Sequence, residues 1–220
     1  MKTERHLMID IETMDSGPEA AVIAIGARIF TLDGPSKGFE TFIDTTKAAQ
    51  IGTMSTENMA WWGKQPSYDQ AFSGKLEPAD AFHRFAEFCK EQKAEYVWAN
   101  SPSFDCVIMR HLAKQVALKF PFHYRAERDC RTLFALGRAM EVDCKDLWGN
   151  PDRRAHLPLD DATTQAEVAV RILRNILSSP GVYSDLDSVP PPSVPERSAE
   201  PSAATAGATL LSRVLRGSSG

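Results

Sequence analysis

Leu7-Met8-Ile9-Asp10-Ile11-Glu12 carries a short apolar run straight onto two carboxylates. The run reads as a first strand reaching about Ile11. Side chains alternate along a strand, so Asp10 and Glu12 share one face at its end. Two bare carboxylates on one face repel each other, and holding them together is costly unless something positive lies between them. A divalent cation answers that need, and oxygen ligands suit magnesium or manganese. Taken alone, Asp-x-Glu is equally compatible with a solvated strand end or an ion-pair partner.

Outward from this stretch, Ala21-Val22-Ile23-Ala24-Ile25-Gly26-Ala27-Arg28-Ile29-Phe30 is rich in β-formers and reads as a second strand. Phe39 to Ile43 alternates as a third, and the short Asp33-Gly34 connection makes the two a hairpin. Residues 55–92 form a helical middle in which Phe82, Phe85, Ala86 and Cys89 mark one face. Tyr96-Val97-Trp98-Ala99 is a fourth strand. Helices are expected over 103–117, from Leu133 to Met140, and from Asp161 to Leu177 with Ala162, Ala166, Ala169, Leu173 and Ile176 on the inner stripe. Strands first, then strand and helix alternating, predict an α/β protein with a mixed sheet covered by helices.

The chain has 220 residues, enough for one domain with some length left over. The surplus is legible: after Ser178 come Val189-Pro190-Pro191-Pro192-Ser193-Val194-Pro195 and a Ser/Ala/Thr/Glu stretch. A folded domain over 1–178 and a disordered Pro/Ser/Ala-rich tail over 179–220 are therefore expected, because the tail lacks the apolar surface to offset chain entropy. Leu210 to Arg216 is weakly amphipathic and reads as a frayed end before it reads as a docking helix.

Lys and Arg number 25 against 29 Asp and Glu, a net charge of −4, and the pI is near 5.8. That argues against coating nucleic acid by bulk charge, though not against meeting phosphates locally through a metal ion. No run approaches 18 apolar residues, so no membrane span is expected. The start, Met1 to His6, carries an acid and no cleavage pattern, so no secretory signal is expected either. Cys89, Cys106, Cys130 and Cys144 form no CxxC pair, which fits buried, reduced thiols and a cytoplasmic location.

Two further segments place chemistry at element ends. Asp105 follows an apolar strand through Asn100-Ser101-Pro102-Ser103-Phe104 and opens a helix, where by itself it reads as a cap. His156-Leu157-Pro158-Leu159-Asp160-Asp161 opens the last helix. Acids at a helix start favour the dipole, so Asp160 reads as a cap. Asp161 lies in the first turn and points back towards the sheet. His156 sits on a proline-constrained loop, and a neutral imidazole beside a metal-activated water is what a general base needs. No P-loop, Gly-x-Ser-x-Gly or His-Glu-x-x-His pattern is present to support those other chemistries.

The ordered set Asp-x-Glu, Asp, His-x4-Asp resembles the DnaQ-like proofreading-exonuclease superfamily, in the DEDDh branch that includes ribonuclease T and oligoribonuclease. The match runs over about residues 5–177. Between the motifs, Thr13-Met14, Trp61-Trp62 with Gln65, Arg128 to Leu133, and Gln165-Ala166 resemble the group containing phage exonuclease A and a mycobacterial-type 3′-to-5′ exoribonuclease. The chain departs from that group at Leu157-Pro158, where Asn-Ala is usual, and at Phe72, near the place of a usual arginine.

The resemblance implies an RNase H-like fold with a five-stranded mixed sheet. It implies metal ligands at Asp10, Glu12, Asp105 and Asp161 holding two Mg2+ ions, which Mn2+ substitutes. It implies His156 as general base, and a hydrolase releasing nucleoside 5′-monophosphates from the 3′ ends of DNA or RNA. Likeness to phage exonuclease A leans slightly to DNA; trimming of RNA, and a non-catalytic nucleic-acid-binding module on the same fold, stay open. Thr13 and Met14 would lie beside the terminal nucleotide. Phe104 reads as a base-stacking residue or a core residue. Trp61 and Trp62 are adjacent on a helix, so they do not both face the core. One reads as core, the other as a stacking platform or dimer contact. Arg154, with Arg153, reads as a backbone-phosphate contact or a solvated loop. Arg128, Asp129 and Arg131 read as a structural ion-pair cluster. Enzymes of this branch are often dimers, so a homodimer is an option.

Overall fold

The structure, a computed structural model, describes residues 4–178. The expected tail over 179–220 lies outside the described residues. Strands β1 (His6–Thr13), β2 (Val22–Thr31) and β3 (Gly34–Phe42) come first, followed by helices α1 (Thr45–Ile51), α2 (Thr56–Trp62), α3 (Tyr68–Ala71) and α4 (Pro78–Glu91). Then come β4 (Tyr96–Ala99), α5 (Asp105–Gln115), β5 (Glu127–Asp129), α6 (Cys130–Ala139), α7 (Lys145–Trp148) and α8 (Pro158–Ser178). The sheet order is β3-β2-β1-β4-β5. The first three strands are mutually antiparallel, while β4 runs parallel to β1 and β5 parallel to β4. This is the mixed five-stranded sheet that the family resemblance implied. None of the described helices is long and apolar enough to cross a membrane.

Strand β1 is central and buried on both faces, which explains its nearly unbroken apolar run. Its alternation sends Leu7, Ile9 and Ile11 into one core with Phe82 and Phe85 of α4 and Ile108 of α5. Met8 faces the other way, into a second core with Phe134 of α6 and Ala162, Ala166 and Ala169 of α8. Asp10 and Glu12 keep step with Met8, so both carboxylates emerge on the face that α8 covers.

Helix α8 lies close against β2 because Gly26, the cross-strand partner of Asp10, has no side chain. A Cβ there would stand 2.1 Å from the Pro158 carbonyl carbon. Pro158 opens the helix, where its fixed φ suits the first turn. The approach sets His156 to Asp161 over the end of β1. Gly26→Ala is therefore expected to lower the melting temperature by about 6–12 °C, as an overpacking loss near 3 kcal/mol does in a domain of this size. Thermal unfolding followed by circular dichroism checks this, and a fall under about 2 °C would mean that the helix start shifts freely.

Several boundaries differ from expectation. The helical middle 55–92 is three helices, broken around Gly63 to Pro66 and at Gly74, where a Cβ would lie 2.2 Å from the Ile43 carbonyl oxygen. Helix α1 precedes it. The third strand starts at Gly34, joined to β2 through Leu32-Asp33. Strand β5 and helix α7 are additions to the expected elements. All four cysteines are buried and free, as expected.

Candidate active site

Four acids and a histidine converge where β1 ends. Asp10 and Glu12 come from β1, Asp105 from the first residue of α5, and Asp161 from the first turn of α8. Ligand atoms of Glu12, Asp161 and His156 all lie within 4.8 Å of one another. Asp10 Oδ1 accepts a hydrogen bond from the Gln165 side-chain amide at 2.8 Å. Asp161 Oδ2 accepts the backbone N–H of His156 at 2.9 Å. Asp105 is buried, and its Oδ1 accepts the Ile11 amide at 3.3 Å, which ties α5 to β1. Asp10, Glu12, Asp161 and His156 line a cleft of about 430 Å³ together with Asn100 and Gln165.

The charges are compensated only in part. Burial, followed by the charges of Glu12, Asp105 and Asp161, holds the Asp10 carboxyl well above the usual range against the Gln165 hydrogen bond. Glu12 is pushed up to about 8 by burial and then by Asp161 and Asp105. Asp105 is pushed up to about 7, by burial foremost. Asp161 is raised for the same reason, with the His156 amide opposing. Among the described lining residues the one full-time cation is Arg153, whose guanidinium is bonded to Glu167 at 2.7 Å and Thr164 at 3.0 Å. Arg131 opposes the rise at Asp105, but four acids, all hard oxygen donors, against so little positive charge fit a divalent cation. The buried Gln165 Oε1, which has no hydrogen-bond partner, adds a carbonyl oxygen beside them.

A pH dependence follows. Each acid titrates higher folded than unfolded, so the folded protein holds protons that the unfolded chain has already released between about pH 4 and about pH 8. Stability in chelator is present below that window and is lost as pH rises through it. Between pH 5 and pH 8 the melting temperature in EDTA is expected to drop by about 4 °C or more. Magnesium should shrink the drop, because the cation replaces the protons. A flat or rising profile in EDTA would contradict the reading.

His156 adopts φ 62°, in the left-handed region. Its ring meets the Trp61 ring edge-to-face, with centroids 4.8 Å apart. The tryptophan pair divides as the helix geometry requires: Trp62 is buried and donates its indole N–H to the Thr13 carbonyl at 2.8 Å, while Trp61 is 42% exposed.

Other expected contacts change. Met14, expected beside the terminal nucleotide, is only 2% exposed and packs in the core. The Thr13 hydroxyl is also turned inward, donating to the Asp15 carbonyl at 2.6 Å. Phe104 is half-buried against the core just before α5. Arg154 donates to Gln70 at 2.6 Å and stands 3.7 Å from Asp160, in a hollow beside His156. Asp160 accepts the Arg154 amide at 3.1 Å, so it braces the preceding loop. Arg128, Asp129 and Arg131 divide their roles instead of forming an ion-pair cluster. Asp129 caps α6, Arg128 lies over the Tyr96 ring, and Arg131 donates to the Asn100 carbonyl. Sequence reasoning left Gln165, Asn100, Asn150 and Trp148 without roles in the cleft. Gln165 was within reach, since it follows Asp161 by four residues on one helix face.

A family model described as the 3′-5′ exoribonuclease Rv2179c-like domain matches residues 5–173. No curated protein matches the chain. Among solved structures, the nuclease domain of 3′hExo, a DEDDh family member bound to rAMP, superposes with a TM-score of 0.58 at 14% identity, covering 79% of this chain and 94% of that one. Exonuclease I from Methylocaldum szegediense gives 0.57 at 19% identity, covering 81% of this chain and 42% of its own. A further exonuclease I gives 0.56 at 14%, covering 78% and 41%. The chain thus spans about two fifths of the exonuclease I chains, and at such identities the likeness concerns the fold.

Proposed function

Since the chain belongs to the 3′-5′ exoribonuclease Rv2179c-like domain family, we propose that it releases nucleoside 5′-monophosphates from the 3′ ends of nucleic acid through the cleft at the end of β1. The observation that carries this is the convergence of four desolvated acids with a histidine braced against one of them. Asp10, Glu12, Asp105 and Asp161 would hold two magnesium ions, with manganese as a substitute. When bound, such ions activate water and neutralise charge on the phosphate.

The chain's own groups do the rest. His156 takes a proton from the attacking water on its imidazole, and its backbone tie to Asp161 keeps the ring over the cleft. The Trp61 edge contact limits ring rotation. Gln165 fixes the rotamer of Asp10. The water oxygen bonds to phosphorus, the bond to the 3′ oxygen of the preceding nucleotide breaks, and that oxygen takes up a proton. Phe104 supports the terminal base by stacking. The Thr13 backbone flanks the terminal sugar, and Arg154 meets a neighbouring phosphate.

The test uses 5′-labelled DNA and RNA strands of matched sequence, with magnesium, manganese or EDTA. A ladder that shortens from the 3′ end and disappears in EDTA is expected. No ladder on any strand, from folded protein with metal, would support a non-catalytic binding module instead. For the sugar, the likeness to phage exonuclease A leans slightly to DNA, while the description of the matched domain as an exoribonuclease supports RNA. The faster strand decides.

A further inference from the structure

Trp148 ends the short helix α7 and is 54% exposed, although it is one of the largest apolar side chains in the protein. It lines the same cleft as Asp10, Glu12 and His156. It also lines the neighbouring apolar groove between α6 and α8, with Phe134, Val142 and Ile172. Among the described residues lining these two hollows, Trp148 is the one they share.

The ring is held firmly. Phe134 meets it edge-to-face, with centroids 5.6 Å apart and planes at 87°. Helix α7 is fastened to α8 by Arg171, which pairs with Asp146 and donates to the Asp143 carbonyl at 3.0 Å. Leu147 packs into the core beneath. The segment from Trp148 to His156 is pinned to α8 at its far end through Arg153 and the Asp161 contact. One wall of the cleft therefore runs from an exposed indole to the histidine, and α8 braces both ends. Exposing a large aromatic ring to water is unfavourable, and a rigid ring presented at a polar cleft is what nucleobase stacking uses.

We propose that Trp148 is the stacking platform for an unpaired base on the 5′ side of the scissile phosphate. This rests on the exonuclease reading above and deepens it. In the exonuclease reading the terminal nucleotide is assigned to Thr13 and Phe104, on β1 and just before α5. Trp148 comes from a different element, and the groove leading away from it gives the rest of the strand a path.

The experiment compares wild type, Trp148→Ala, Trp148→Leu and Trp148→Phe on single-stranded octamers of the faster sugar. The octamers are intact or carry one abasic residue at the first, second or third position from the 3′ end. On the intact strand, Trp148→Ala should raise KM about tenfold or more, with kcat within about threefold of wild type, while Trp148→Phe recovers most of the loss. On one of the two strands lacking the second or the third base, the one whose base stacks on Trp148, wild type and Trp148→Ala should have the same KM. With the first base missing, the deficit should persist. Trp148→Leu keeps an apolar contact for Phe134 without a stacking face, so it carries the same comparison if the alanine variant does not fold. A wild-type KM in Trp148→Ala and Trp148→Leu on the intact strand overturns the proposal. So does a deficit of equal size on every abasic strand, which would mark Trp148 as a structural prop. If wild type shortens no strand, the exonuclease reading itself has failed, and that outcome is visible without any variant.

Discussion

Asp10→Asn is expected to give a protein that is more stable than wild type without metal, yet about 10³-fold or more slower with it. Asp10 is half-buried among three other acids, and its carboxyl is held well above the ordinary range by desolvation first and then by those charges. Replacing one oxygen by an amide nitrogen removes a desolvated negative charge from the cluster. It leaves an oxygen to accept the Gln165 hydrogen bond and supplies a donor for a neighbouring carboxylate. In EDTA at pH 8, where the repulsion is greatest, the melting temperature should therefore rise by about 3 °C or more. The catalytic loss follows because stabilisation of charge on a transferred phosphoryl group is worth several kcal/mol, and each 1.36 kcal/mol is about tenfold in rate. The rise in melting temperature on adding magnesium should shrink in the same variant. Lower stability in EDTA would mean that Asp10 is a structural partner of Gln165 rather than part of a charge-storing cluster.

That opposition of stability and activity marks a cluster built for a ligand, and it was legible in the sequence. Each acid sits at an element end: Asp10 and Glu12 two residues apart on a strand, Asp105 opening one helix, Asp161 in the first turn of another. Positions of that kind survive errors of a few residues in the boundaries. Strands β1 and β2 were equally legible, since buried strands are apolar whatever surrounds them. Strand β5 was not. Glu127-Arg128-Asp129 has no apolar residue, and it is a strand because Val97 to Ala99 lie parallel beside it, a relation between segments 30 residues apart. The face marked in the helical middle, Phe82 to Cys89, lies wholly in α4, so it carried no information on the breaks around Gly63 to Pro66 and at Gly74. The burial of Met14 was not legible, because sequence proximity to Glu12 says nothing about direction: at the end of β1 Met14 packs inward. Trp148 was invisible for a related reason, since its exposure depends on how α6 and α8 seat a four-residue helix.

His156→Asn should fold, keep the magnesium-induced rise in melting temperature within about 2 °C of wild type, and lose about 10²- to 10⁴-fold in kcat. The choice of asparagine follows from the backbone. At φ 62° an alanine is strained, whereas asparagine tolerates the left-handed region better than most residues. The backbone N–H that reaches Asp161 is untouched by the substitution, so the acid keeps its orientation and the loop from Arg153 onward keeps its anchors. What is removed is an imidazole able to take up a proton beside Glu12 and Asp161, together with its edge contact to Trp61. Asn has no basic nitrogen, so the rate should fall while the carboxylates still take up the cation. This separates His156 from the acids: Asp10→Asn should weaken the metal response as well as the rate, and His156→Asn the rate alone. If His156→Asn kept more than about a tenth of wild-type activity, the proton would have to leave by a route other than the ring, and the histidine would serve only to hold Asp161 in place.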